Sequence, residues 1–175
     1  MLDRIDTPDE RLMRVAITLA FRSALDEGDM PFAALAVTDG TIIASASSTE
    51  LRDGDRTAHA ELHVIRQAAK LAGPDLGEIT LYSTHELCAM CSCAALHAGI
   101  GRIVIGSERA DLPHLFRAKP AVLAALVADS THQPDITTGV LRDGAIALLD
   151  ACLPSLLGRP RRPLESLHHN RQEHP

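Results

Sequence analysis

The sequence predicts an α/β fold, a three-layer α-β-α sandwich around a five-stranded mixed sheet. Three observations lead there. Apolar stretches of strand length alternate with stretches of helical period along most of the chain. An Asp39-Gly40 pair joins two of the strand-like stretches early, the mark of a tight antiparallel hairpin. Each later strand is separated from the next by a helix-length segment, the spacing that crossover connections between parallel strands require.

The elements follow in order. Residues 9–27 carry Leu12, Val15, Ile17, Leu19, Ala20 and Leu25 at helical spacing, and Gly28 stops them. Pro31 opens a strand through Val37, and residues 41–46 return beyond the hairpin turn. The polar stretch 47–56 reads as a loop. A second helix over 58–71 is closed by Gly73-Pro74; a strand over 79–83 leads to a third helix over 88–98, ended by Gly99. Residues 102–106 form another strand. A helix over 120–128, a short strand over 135–138 and a last helix over 140–149 complete the pattern. From Pro154 onward Pro, Arg and His accumulate and order is expected to fade, so 1–155 reads as one domain and 156–175 as a flexible tail.

Composition narrows the class. Apolar residues make up 46% of the 175 residues, enough for one substantial core, while aromatics are 2% with no Trp. That core must therefore be built from Ala, Leu, Ile and Val. No apolar run reaches membrane-spanning length, and the opening Met1-Leu2-Asp3-Arg4-Ile5-Asp6 is unlike a signal peptide, so no membrane partner is expected. Four cysteines, two of them in one short motif, point to a reducing, cytoplasmic setting, with Cys93 and Cys152 as buried free thiols. The net charge of −6 argues against a nucleic-acid partner, because polyanion affinity comes from Lys and Arg neutralising phosphates. The one basic cluster in the sequence is Arg159, Arg161 and Arg162 in the tail.

The chemistry lies in two short motifs. His59-Ala60-Glu61 is followed, after one helix and one strand, by Cys88-Ala89-Met90-Cys91. A catalytic zinc takes three protein ligands and leaves a fourth position open. His59, Cys88 and Cys91 supply one nitrogen and two thiolates, and Glu61 stays free to move protons. Residues at i and i+2 diverge around a helix, so His59 and Glu61 serve one centre only from a helix tip. The predicted starts of the second and third helices put all four residues at such tips. Zinc brings bound water toward hydroxide at neutral pH, and a carboxylate left off the metal, Glu61, is free to move its proton. Other readings of CxxC fare worse. A redox pair leaves His59 and Glu61 unexplained, and a four-cysteine knuckle lacks its second CxxC. His63 does not complete an H-E-x-x-H protease motif, because the glutamate is misplaced.

These motifs match the H-x-E…P-C-x-x-C pattern of zinc nucleobase deaminases, with Leu87 in place of proline. The chain resembles the cytidine deaminase-like superfamily, in its branch of guanine deaminases, tRNA adenosine deaminases and related enzymes. The resemblance rests on Thr57-Ala58-His59-Ala60-Glu61, on Leu81-Tyr82-Ser83-Thr84-His85-Glu86-Leu87-Cys88, on the strand start Met30-Pro31-Phe32-Ala33-Ala34, and on residues 97–106. It implies one zinc per chain, Glu61 as the catalytic residue, and a small amino-substituted heterocycle with water as substrates: a free base, nucleoside or related azine. It also implies a homodimer joined partly through the small apolar run of the third helix. Around the substrate it places Phe32, Ser48, Ala58, His85, Glu86 and Phe116. Ser48 stands where those relatives carry an asparagine that holds the base edge, and a hydroxyl cannot copy an amide's paired donor and acceptor. Ala33 stands for the usual glycine, where an extra methyl would narrow a pocket. The alternatives are a tRNA-specific adenosine deaminase and a zinc-binding relative without catalysis.

Overall fold

A computed structural model describes residues 6–116 and 122–157. Helix α1 (Pro8–Arg22) starts on a capping box, in which Thr7 accepts from Glu10 N–H and Glu10 reaches back to Thr7 N–H, with Pro8 in the first turn. It runs on through a wider turn, Ser23–Glu27, and Gly28 ends it at φ 66°, a left-handed conformation that glycine adopts freely. Strands β1 (Ala33–Thr38) and β2 (Thr41–Ser47) form the expected hairpin around Asp39-Gly40, both at positive φ. Then come α2 (Glu50–Asp53), α3 (Ala60–Ala72), β3 (Thr80–His85), α4 (Ala89–His97), β4 (Arg102–Ser107), a single turn at Arg109–Asp111, α5 (Val122–Asp129), β5 (Asp135–Thr137) and α6 (Arg142–Leu157).

The sheet order is β2-β1-β3-β4-β5. β1 runs against both of its neighbours, and β3, β4 and β5 are parallel. Alternation along the strands sorts side chains between two helical layers. Ala34, Ala36, Leu81, Ile103 and Ile105 face the core beneath α3, α4 and α5, whereas Leu35, Val37, Tyr82 and Val104 face α1. Ala33 joins Ala20, Ala24 and Leu148 in a third cluster between α1 and α6. The three-layer sandwich is thus present, and small residues build much of it. The alanines of β1 meet Ala60 and Ala68 of α3, which lets helix and sheet approach closely without aromatic filling.

Three expectations about elements change. The polar stretch after β2 contains the one-turn helix α2, which positions a carboxylate discussed below. The last helix continues through Pro154 to Leu157, because Cys152, Leu153 and Leu156 are buried and hold the chain down. Cys152 is buried as expected but Cys93 is only half-buried, and all four cysteines are free. Pro120, Arg159, Arg161, Arg162 and the greater part of the expected tail lie outside the described residues. Among the described residues no helix is long and apolar enough to cross a membrane.

Candidate active site

His59 is the N-cap of α3 and Cys88 the N-cap of α4, so the ligand types sit at two helix starts rather than inside helices. Cys91 lies one turn into α4 and is fully buried. His59 Nδ1 stands 3.7 Å from Cys88 Sγ and 3.5 Å from Cys91 Sγ. A tetrahedral zinc, with Zn–S of about 2.3 Å and Zn–N of about 2.0 Å, sets its nitrogen and sulfur ligands about 3.5 Å apart. Both separations lie close to that figure. The donor atoms also lie within 4.8 Å of one another, so the three side chains fit the ion in geometry as well as in type.

The electrostatics agree. Cys88 is pushed down to about 3, first by the hydrogen bond from Cys91 and then by His59 against an opposing burial cost. His59 is raised, chiefly by its contact with Cys88. Cys91 is raised by its bond to Cys88, by burial and by the charge of Glu61. A cation bound between them would favour the thiolate form of both cysteines. Behind His59, Glu50 Oε2 of α2 lies 3.9 Å from Nε2, the nitrogen turned away from the sulfurs. The contact is longer than a hydrogen bond, but it sets a negative charge behind the ring, which favours a more basic histidine.

Glu61 stands beside the cluster. It is 7% exposed, its Oε2 is 3.4 Å from Cys91 Sγ, and its Oε1 is 2.7 Å from the Ser83 hydroxyl. Ser83 Oγ is also 2.7 Å from the main-chain oxygen of His85. Sequence reasoning missed both Glu50 and Ser83. Ser83 did leave a signal: it shares strand parity with Leu81, and a polar residue on a core-facing strand position calls for a buried partner.

The six residues placed around the substrate divide. Phe32, His85 and Phe116 come together: the His85 ring stacks on Phe116 at 4.6 Å and 22°, and Phe32 lies 6.0 Å away on a tilted plane. Glu86 is buried beside them, its Oε2 accepting from Arg109 N–H. Ser48 and Ala58 belong to the loop instead. The Ser48 hydroxyl donates to Ala58 O and accepts from Glu50 N–H, and Ala58 O also accepts from Thr49 N–H. Ser48 is 2% exposed, and its hydrogen bonds fasten α2, with Glu50, to the start of α3. The Ala33 methyl is packed between α1 and α6, so it narrows no pocket. Leu87 precedes the N-cap rather than occupying the first helical position, and its side chain is wholly buried in the core, a place where proline's preset φ is not needed. The His63 ring bonds Thr49 Oγ1 and His114 pairs with Asp150.

The model for the cytidine and deoxycytidylate deaminase zinc-binding region matches residues 6–107. The chain belongs to that family. It is 30% identical over 167 residues to the tRNA-specific adenosine deaminase of Bacillus subtilis, covering 92% of this chain and 98% of the relative. It is 41% identical over 157 residues to a tRNA(Ile)-lysidine synthase of Deinococcus radiodurans, covering 89% of this chain but spanning only 25% of that protein. Among solved structures, the guanine deaminase of Nitrosomonas europaea superposes with a TM-score of 0.72 at 26% identity, covering 85% of this chain and 86% of the other. The family is one of zinc-dependent hydrolytic deaminases, and His59, Cys88 and Cys91 are positioned to hold the ion. The expectation of no nucleic-acid partner is corrected by the Bacillus relative, which by name acts on tRNA and aligns almost end to end. The physical reason is that a net charge sums over every face, whereas phosphates meet one.

Proposed function

We propose that this protein is a hydrolytic deaminase that releases ammonia from an amino-substituted nitrogen heterocycle. One observation carries the reading: three ligand atoms at zinc spacing with an uncoordinated, buried carboxylate beside them. Zinc, when bound, supplies the Lewis acidity that readies a water for attack. His59, Cys88 and Cys91 hold it, and Glu50 steadies the His59 ring from behind. Glu61 takes a proton from the incoming water and returns protons to the ring nitrogen and the leaving amine. A carboxylate that was itself a ligand could not do this. Ser83 holds Glu61 in place, and Phe32 and Phe116 offer flat apolar faces for a heterocycle.

A second reading, deamination of adenosine within tRNA, draws support from the relatives named for that activity. One experiment addresses both. The zinc-loaded chain is tested for ammonia release from free bases, nucleosides and aminotriazines, and for inosine formation in a tRNA anticodon stem-loop. Glu61→Gln should retain zinc and lose about 10²–10⁴-fold in turnover, because the amide keeps the shape and removes proton transfer. Near wild-type turnover by this variant would remove Glu61 from the reaction. The small residues of α4 further support pairing of two copies through that helix, although Ala94 and Ala98 also touch the core of their own chain. Sedimentation at micromolar concentration should give a mass above the monomer's 18.7 kDa; the monomer mass would refute pairing.

A further inference from the structure

His85 follows Ser83 by two positions on β3, so both face the layer that carries Glu61 and the zinc ligands. It stands at the carboxyl end of the parallel strands, directly across from Ser107 on β4. Ligands of open α/β sheets lie beyond that edge. The ring is 4% exposed, yet its Nε2 is buried with no hydrogen-bond partner among the described residues. A lone unpaired polar atom in such a place is costly, and nearly all buried polar groups avoid it.

The tautomer follows from the neighbours. Ser107 Oγ lies 3.4 Å from Thr84 O and 2.9 Å from His85 Nδ1, and only a serine that donates to Thr84 O and accepts from Nδ1 satisfies both contacts at once. Nδ1 therefore carries the hydrogen and Nε2 presents a lone pair. Burial, with the charge of Arg109 adding to it, pushes His85 down to about 4, which keeps the ring neutral near pH 7. Glu86 Oε1, on the next residue, is a second buried acceptor without a partner. Two buried acceptors thus stand without partners at the end of β3, and near them one buried donor, Arg109 Nε, is also without one among the described residues. Phe116 stacks on the ring, so a base that reaches Nε2 has to displace it.

We propose that His85 Nε2 accepts a hydrogen bond from a ring N–H of the substrate, making His85 a specificity-determining residue that favours bases bearing a ring N–H, such as an oxopurine. The inference rests on the deaminase reading of the same site. A base presenting a bare ring nitrogen there sets lone pair against lone pair and is rejected. Sites built to pair a substrate N–H discriminate strongly, because its loss leaves a buried group unpaired.

The test is titration calorimetry of the zinc-loaded full chain with 8-azaguanine and its ring N-methyl derivatives. In the wild type, methylation of one ring nitrogen should weaken binding about tenfold or more. In His85→Phe, 8-azaguanine itself should bind more weakly by a similar factor, and the penalty for that methylation should vanish. Ser107→Ala frees the imidazole to take its other tautomer, so it should shrink the same penalty with zinc content unchanged; it carries the test if the Phe variant fails to fold. An unchanged penalty in these variants overturns the proposal, as does failure of the zinc-loaded wild type to bind 8-azaguanine. In that last case, ammonia release from another heterocycle leaves the deaminase reading standing and removes only the role of His85.

Discussion

Removing one hydroxyl, Ser83→Ala, tests how Glu61 is held. Ser83 Oγ lies 2.7 Å from Glu61 Oε1 and 2.7 Å from His85 O, and it has one proton for two acceptors. While Glu61 is a carboxylate, Ser83 donates to it. Once Glu61 carries a proton, Glu61 donates to Ser83 Oγ and Ser83 turns its own proton to His85 O. In the proposed reaction the hydroxyl thus keeps a bond to Glu61 on both sides of the proton transfer. Glu61 is buried, so no bulk water substitutes for the lost partner. A hydrogen bond to a charged group contributes about 1.5–3 kcal/mol, and each 1.4 kcal/mol or so is tenfold in rate. Ser83→Ala should therefore lower kcat about 10- to 100-fold, with KM and zinc content little changed. Ser83→Thr, which keeps the hydroxyl, should recover most of the loss. The assay is steady-state ammonia release on the heterocycle the wild type turns over, with metal analysis alongside. A kcat for Ser83→Ala within about twofold of the wild type, at full zinc, would refute the reasoning.

Two further outcomes follow from the same geometry. Glu50→Gln removes the charge facing His59 Nε2 and should weaken zinc binding about 10- to 100-fold in competition with a chelator, while the folded chain keeps its stability; equal affinity would show that Glu50 does not act on His59. Asp9 accepts from the Tyr82 hydroxyl at 2.6 Å and from both Arg102 terminal nitrogens, and the Arg102 hydrogen bond, more than any other cause, holds its carboxyl below the usual range. A lowered carboxyl contributes stability that is complete above its ordinary value near 3.9 and lost as pH falls through the folded one. Asp9→Asn should thus be less stable at neutral pH and show a shallower loss in acid, measured by urea unfolding from pH 7 to 3; parallel curves would refute it.

The metal ligands were legible because their geometry is local. Cys88 and Cys91 are one helical turn apart, and His59 and Glu61 flank a helix start, so short-range spacing alone restricts where each pair can point. The fold class was legible for the same reason: strand and helix periods are properties of neighbouring residues, and the Asp39-Gly40 turn specifies its own hairpin. Whole-chain sums carried less. A net charge of −6 says nothing of how charge is shared among the faces, and the substitution of Ser48 for asparagine showed a missing amide without showing that the hydroxyl is spent on the loop.

By itself, then, the sequence determined the ligand set, the free carboxylate and the layered α/β architecture. Tertiary structure alone decided which distant residues attend them. Glu50 reaches His59 only because Ser48 fastens α2 against the start of α3. Ser83 reaches Glu61, and His85 reaches Ser107, through the order of the sheet and its register: β3 lies between β1 and β4, with His85 opposite Ser107. Register is a long-range property, set by how whole strands bury their faces, and a shift of one residue would turn Ser83 and His85 away from the site.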